Sequence, residues 1–130
     1  MDNIKVPVSP GEVLDKITIL EIKSERMEDP EKVANVRIEL KLLQDTWAAN
    51  ITDDDTIRDL HAQLKEINEA LWEIEDDIRD KERVKEFDER FIELARAVYF
   101  TNDKRSEVKK KLNLHLGSQI VEEKSYQDYA

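Results

Sequence analysis

The chain has 130 residues, enough for one domain with a real core. Charged residues make up 40% of it, with only two glycines and three prolines, a balance that reads as long solvated helices and argues against a sheet protein. A formal net charge of -10 disfavours nucleic acid and anionic membranes as partners, and the lack of cysteine excludes disulfides and thiolate metal sites.

Met1-Asp2-Asn3-Ile4-Lys5 lacks the apolar core of a signal peptide, and no apolar run reaches membrane-spanning length. The expected location is cytoplasmic. Ile4 to Val8 alternate weakly and contain Pro7, so residues 1–8 read as a short extended arm or edge strand. Ser9-Pro10-Gly11-Glu12 follows with serine at N-cap, proline at N1 and glutamate at N3, a capping box. Val8 and Val13 stand at the positions of a hydrophobic staple. The first helix runs to about Arg26 or Met27 on a buried arc of Val13, Leu14, Ile17, Leu20 and Met27, with Glu21 inside that arc.

Asp29-Pro30 supplies a second N-cap and N1 pair, opening a helix with a Val33, Val36, Leu40, Leu43, Trp47 seam. The short spacing between these two helices predicts an antiparallel hairpin. After an acidic turn at residues 50–55, Ile57, Leu60, Leu64, Ile67, Leu71, Ile74 and Ile78 hold an unbroken 3-4-3-4 spacing on a long third helix. That seam loses phase near residue 80, which predicts a kink or tight turn within residues 80–86. A fourth helix carries Phe87, Phe91, Leu94, Val98, Val108 and Leu112, and stops near Gly117, a C′ residue. Residues 118–130 form a tail with Tyr126 and Tyr129. The expected fold is all-α: one domain, residues 1–130, built as an antiparallel bundle of about four helices with a long central helix and a short N-terminal arm. Extra apolar positions at Ile19, Ile22, Ile38, Leu42 and Ile92 point to a homodimer.

Polar residues that intrude on the apolar stripes carry the functional signal. Glu75 and Glu82 fall on the third helix's arc, with Asn68, Arg79 and His61 along one edge, and Arg105 sits in the fourth helix's stripe. Antiparallel packing of those two helices leaves Glu75 short of Arg105, so contact between them needs another helix, a bend or a second subunit. One reading is a set of satisfied interhelical ion pairs that fix register. The other is an interhelical pocket whose cations grip an anionic, phosphorylated small molecule, with arginines as bidentate forks. In that pocket Lys16, Lys23, Arg37 and Arg105 supply charge, Asn102 and Tyr126 hydrogen bonds, and Glu75 orients one cation, with Arg79 and Lys109 beside them.

Carboxylates at Glu73, Glu75, Asp76 and Asp77 raise metal-dependent nucleotide hydrolysis as a third possibility, but only Glu73 with Asp76 or Asp77 shares a helix face, and a solvated face is the simpler reading. No nucleophile triad, phosphate loop or zinc spacing occurs, so neither a catalytic residue nor a metal or other cofactor is assigned.

Several stretches resemble a small bacterial and phage-associated family known only as a domain of unknown function. They are Val6-Pro7-Val8-Ser9-Pro10-Gly11-Glu12 and residues 14–23, Asn35-Val36-Arg37, Leu71-Trp72-Glu73-Ile74-Glu75-Asp76, Asn102-Asp103-Lys104-Arg105, and Glu122-Glu123-Lys124-Ser125-Tyr126. The resemblance implies a self-standing domain without an assigned activity, whose tail packs or binds. The leading expectation is non-catalytic binding of an anionic small molecule by a helical homo-oligomer. The alternative is an assembly or adaptor protein whose buried polar residues set register and partner choice.

Overall fold

A computed structural model describes residues 1–129, so the last residue of the predicted tail lies outside the described residues. Four helices follow an N-terminal stretch without regular structure: α1 (Pro10–Arg26), α2 (Pro30–Asn50), α3 (Asp55–Arg83) and α4 (Glu89–His115). No strand occurs among the described residues, so the arm is extended chain and not a sheet edge. No helix is long and apolar enough to cross a membrane, again among the described residues.

The caps fall where the sequence places them. Ser9 Oγ accepts the Glu12 N–H at 3.2 Å with Pro10 at N1, and Asp29 accepts from Glu31 and Lys32 with Pro30 at N1. The capping box is only half made: the Glu12 carboxylate turns to Lys109 at 2.7 Å instead of reaching back to Ser9. Val8 stays exposed, so no buried staple forms there.

The predicted break after α3 is a helix-terminating turn. Glu86 N–H bonds the Lys81 carbonyl at 3.0 Å and Lys85 N–H bonds Glu82 at 3.1 Å, the paired bonds of a Schellman motif. Lys85 takes the left-handed position, φ 57°, that glycine usually fills. α3 therefore extends to Arg83, past the expected Asp80, and Phe87 lies before α4, exposed, where the sequence had put it on the helix stripe. α4 ends on the same motif with Gly117 at φ 65°: Ser118 N–H bonds Asn113 at 2.9 Å and Gly117 N–H bonds Leu114 at 3.2 Å.

α3 and α4 form an antiparallel hairpin, and α1 packs across it while also carrying α2 on its other side. Among the described residues α2 meets no helix backbone but that of α1. Its seam residues Val33, Val36, Leu40 and Leu43 are half-buried, and only Trp47 is buried, its indole N–H donating to Asp53 at 2.8 Å. Trp47 joins Leu14, Ile17, Ile57, Leu60, Leu64, Val108 and Leu112 in one core at the end of the hairpin away from its turn. Beyond Leu64 the α3 seam is half-buried at Ile67, Leu71, Ile74 and Ile78. Of the apolar positions set aside for a dimer, Ile22 is buried within this one chain and Ile19 half-buried, whereas Ile38, Leu42 and Ile92 are exposed.

Candidate functional site

Where α1 crosses the hairpin, the interface is polar. Asp15, 1% exposed, faces α3 and α4 from the arc next to Leu14. Arg105 on α4 donates to both of its carboxylate oxygens, from Nε at 2.8 Å and from Nη2. Asn68 on α3 divides its two amide hydrogens between Asp15 Oδ1 at 2.9 Å and Thr18 Oγ1 at 2.8 Å. Thr18 in turn donates to the Asp15 carbonyl at 2.7 Å. Every charge in this network is matched, as a buried ion pair requires. Among the described residues no buried side-chain nitrogen or oxygen lacks a partner. The Asp15 carboxylate holds the Arg105 guanidinium above its ordinary pKa against the cost of burial.

One turn closer to the start of α1, the backbones of α1 and α4 nearly touch. Gly11 N–H donates to the buried Asn113 Oδ1 at 2.7 Å, satisfying a first-turn donor that has no partner within its own helix. A methyl at Gly11 would lie 2.7 Å from the Lys109 carbonyl oxygen and 2.8 Å from Asn113 Oδ1, so the approach needs glycine. It brings Lys109 to Glu12 at 2.7 Å and to Glu122 of the tail at 2.9 Å. Burial opposes the charged form of Lys109, but these two hydrogen bonds outweigh it and raise its pKa, while Lys109 holds Glu122 below the usual carboxylate range.

The tail folds back over α4 and borders an open cavity of about 950 Å³. Lys124 pairs with Asp103 at 3.5 Å, the Tyr129 hydroxyl donates to the same carboxylate, and the Tyr129 ring rests against Tyr99 and Phe100 at 5.3 and 4.7 Å between centroids. Bonding to Asp103 pushes the Tyr129 phenol up to about 12. A second cavity of about 530 Å³ has an apolar floor of Ile19, Ile22, Leu71 and Trp72. Arg105 and Asn102 line both.

Six of the nine residues singled out in the sequence line these spaces. Asn102, Arg105, Lys109 and Tyr126 line the first, although Tyr126 is 84% exposed at its rim. Glu75 and Arg79 line the second, where they pair with each other one turn apart on α3. The carboxylate on Arg105 thus comes from α1, the further helix its register required, and belongs to Asp15 instead of Glu75. Lys16, Lys23 and Arg37 do not join them. Lys16 reaches across to Glu39 of α2 at 2.9 Å, Lys23 lies two turns further along the same face, and Arg37 is exposed on α2, which does not reach α4. A functional arginine there would need a helix that touches the cavity.

Asp15, Thr18 and Asn113 are the residues the sequence reading missed. Asp15 and Thr18 sit at i and i+3, beside Leu14 and Ile17, and it is the crossing of α1 over the hairpin that buries this polar pair. The intruding Glu21 finds His61 at 2.7 Å, a histidine that is half-buried and paired across helices. The acidic run on α3 does not converge: among the described residues no group of three or more acidic or histidine side chains is arranged to hold a metal ion.

The family of unknown function DUF6165 matches residues 4–129, and the chain belongs to it. No curated protein and no solved structure matches the chain.

Proposed function

We propose that this member of DUF6165 is a non-catalytic binding protein that takes an anionic small molecule, of phosphate or carboxylate chemistry, into the cavity between α4 and the tail. The observation that carries the reading is the way Arg105 is held. A guanidinium has five N–H donors. Two go to Asp15, and one makes a long 3.4 Å contact with Asn102. One N–H is left on each of Nη1 and Nη2, and the weak contact to Asn102 is the one a ligand would displace to complete the fork that suits a phosphate or carboxylate. Because Asp15 fixes the plane of the guanidinium, little side-chain freedom is lost when a ligand docks. Lys109 and Lys124 line the same cavity and add positive charge.

The test is a titration of ¹⁵N-labelled protein with propyl phosphate. Saturable shifts confined to α4 residues 98–109 and tail residues 122–129 are expected. Shifts centred elsewhere, or none at millimolar ligand, would contradict the proposal.

A second reading, self-assembly, rests on a separate observation. Val84, Phe87 and Ile92 are each more than half exposed at the turn end of the α3–α4 hairpin, above a seam only half-buried. A two-helix hairpin becomes a well-packed bundle when a second copy supplies two more helices. Light scattering should then give twice the 15.3 kDa chain mass, and Phe87→Lys should return it to one.

A further inference from the structure

Resting on the ligand reading above, the cavity wall narrows the chemistry of what binds. Glu12, Asp103, Glu122 and Asp128 line it, against Arg105, Lys109 and Lys124, so carboxylates outnumber cations. A ligand that was only an anion would face a net negative wall. The carboxylates are also set among aromatic rings: Asp103 accepts from the Tyr129 hydroxyl, and the ring of Tyr129 packs on Tyr99 and Phe100. Rings of this surface already hold cations, with Lys124 Nζ 5.6 Å over Tyr126 and the Arg96 guanidinium 5.6 Å over Phe100. A carboxylate beside aromatic faces is the combination that recognises an ammonium group.

The tail supplies a template for such a ligand. It places the Glu122 carboxylate on Lys109 and the Lys124 ammonium near Asp103, at 2.9 and 3.5 Å. Its negative and positive groups thus answer a lysine and an aspartate six residues apart on α4, about 9 Å of helix. The longer Lys124–Asp103 contact is the weaker of the two, and both of its side chains retain solvent contact.

We infer that the ligand is a zwitterion, an ammonium-bearing phosphate or carboxylate, whose anion meets Arg105 and Lys109 while its ammonium replaces Lys124 at Asp103 against the tyrosine wall. Glu122 and Lys124 then act as an internal competitor that the ligand displaces. Three matched probes separate this from simple anion binding: aminopropyl phosphate, propyl phosphate and propylamine, each titrated calorimetrically into the full chain. Aminopropyl phosphate should bind about tenfold tighter than propyl phosphate, roughly 1.4 kcal/mol, with no measurable binding of propylamine. Asp103→Asn should erase that preference, and a preference that survives this substitution would overturn the zwitterion. Equal affinities for the two phosphates in the unaltered protein would overturn the zwitterion and leave the anion site standing. Failure of both to bind would overturn the site itself.

Discussion

Ile57, Leu60 and Leu64 are buried beneath α1, α4 and Trp47, whereas Leu71, Ile74 and Ile78, at the same spacing on the same helix, are only half-buried. The boundary is Asn68, which binds Asp15 and Thr18 of α1. Periodicity therefore chooses the face of α3 that turns inward, while the number of helices available to cover it differs along its length. The first half is a core. The second is the edge of a bundle, and the polar network and both cavities lie around the junction.

The largest effect should come from breaking the junction. Arg105→Met leaves the buried Asp15 carboxylate without its cation and should cost about 3–5 kcal/mol in denaturant unfolding. The double variant Asp15→Asn/Arg105→Met removes both charges and keeps an acceptor for Asn68, so it should recover most of that loss. Similar losses in the single and double variants would show that the pair is not coupled.

A smaller contrast separates the two halves of the α3 seam. Leu64→Ala should cost about 3 kcal/mol, because the site is fully enclosed, and Ile74→Ala roughly 1 kcal/mol in a single chain. Equal costs, measured well above any dimer dissociation constant, would mean that a second copy covers the distal half.

The smallest effect is confined to the tail. Tyr129 has its pKa raised from 10.0 to about 12 in the folded protein, so its bond to Asp103 contributes fully below pH 10 and is lost as pH rises through about 12. A phenolate absorbance titration should contain a component with its midpoint near 12 that Tyr129→Phe removes. A titration curve unchanged by that substitution would place the Tyr129 hydroxyl away from Asp103.

Local chemistry made the helices legible. Ser9-Pro10 and Asp29-Pro30 mark two helix starts, and Gly117 marks the last helix end, because each residue type has a backbone role that few others fill. The turn at Lys85 could be located only by the loss of seam phase, since a lysine at positive φ leaves no compositional trace. Arg105 stands out as a charge on an apolar stripe, with Asn102 and Lys109 on the same side, and all three line one cavity. The partner of Arg105, Asp15, does not stand out, since a carboxylate one position from a buried leucine is common on amphipathic helices and only the crossing of α1 decides its fate. Lys16, Lys23 and Arg37 show the converse limit: charge on a helix says nothing of which neighbours that helix meets.

The dual use of Arg105, one edge for Asp15 and the other for a ligand, is tested most directly by titrating propyl phosphate calorimetrically into the folded Asp15→Asn/Arg105→Met protein beside the unaltered chain. Saturable heat should appear in the unaltered chain and vanish in the double variant while its melting transition stays cooperative. Undiminished affinity in the double variant would contradict a ligand role for Arg105.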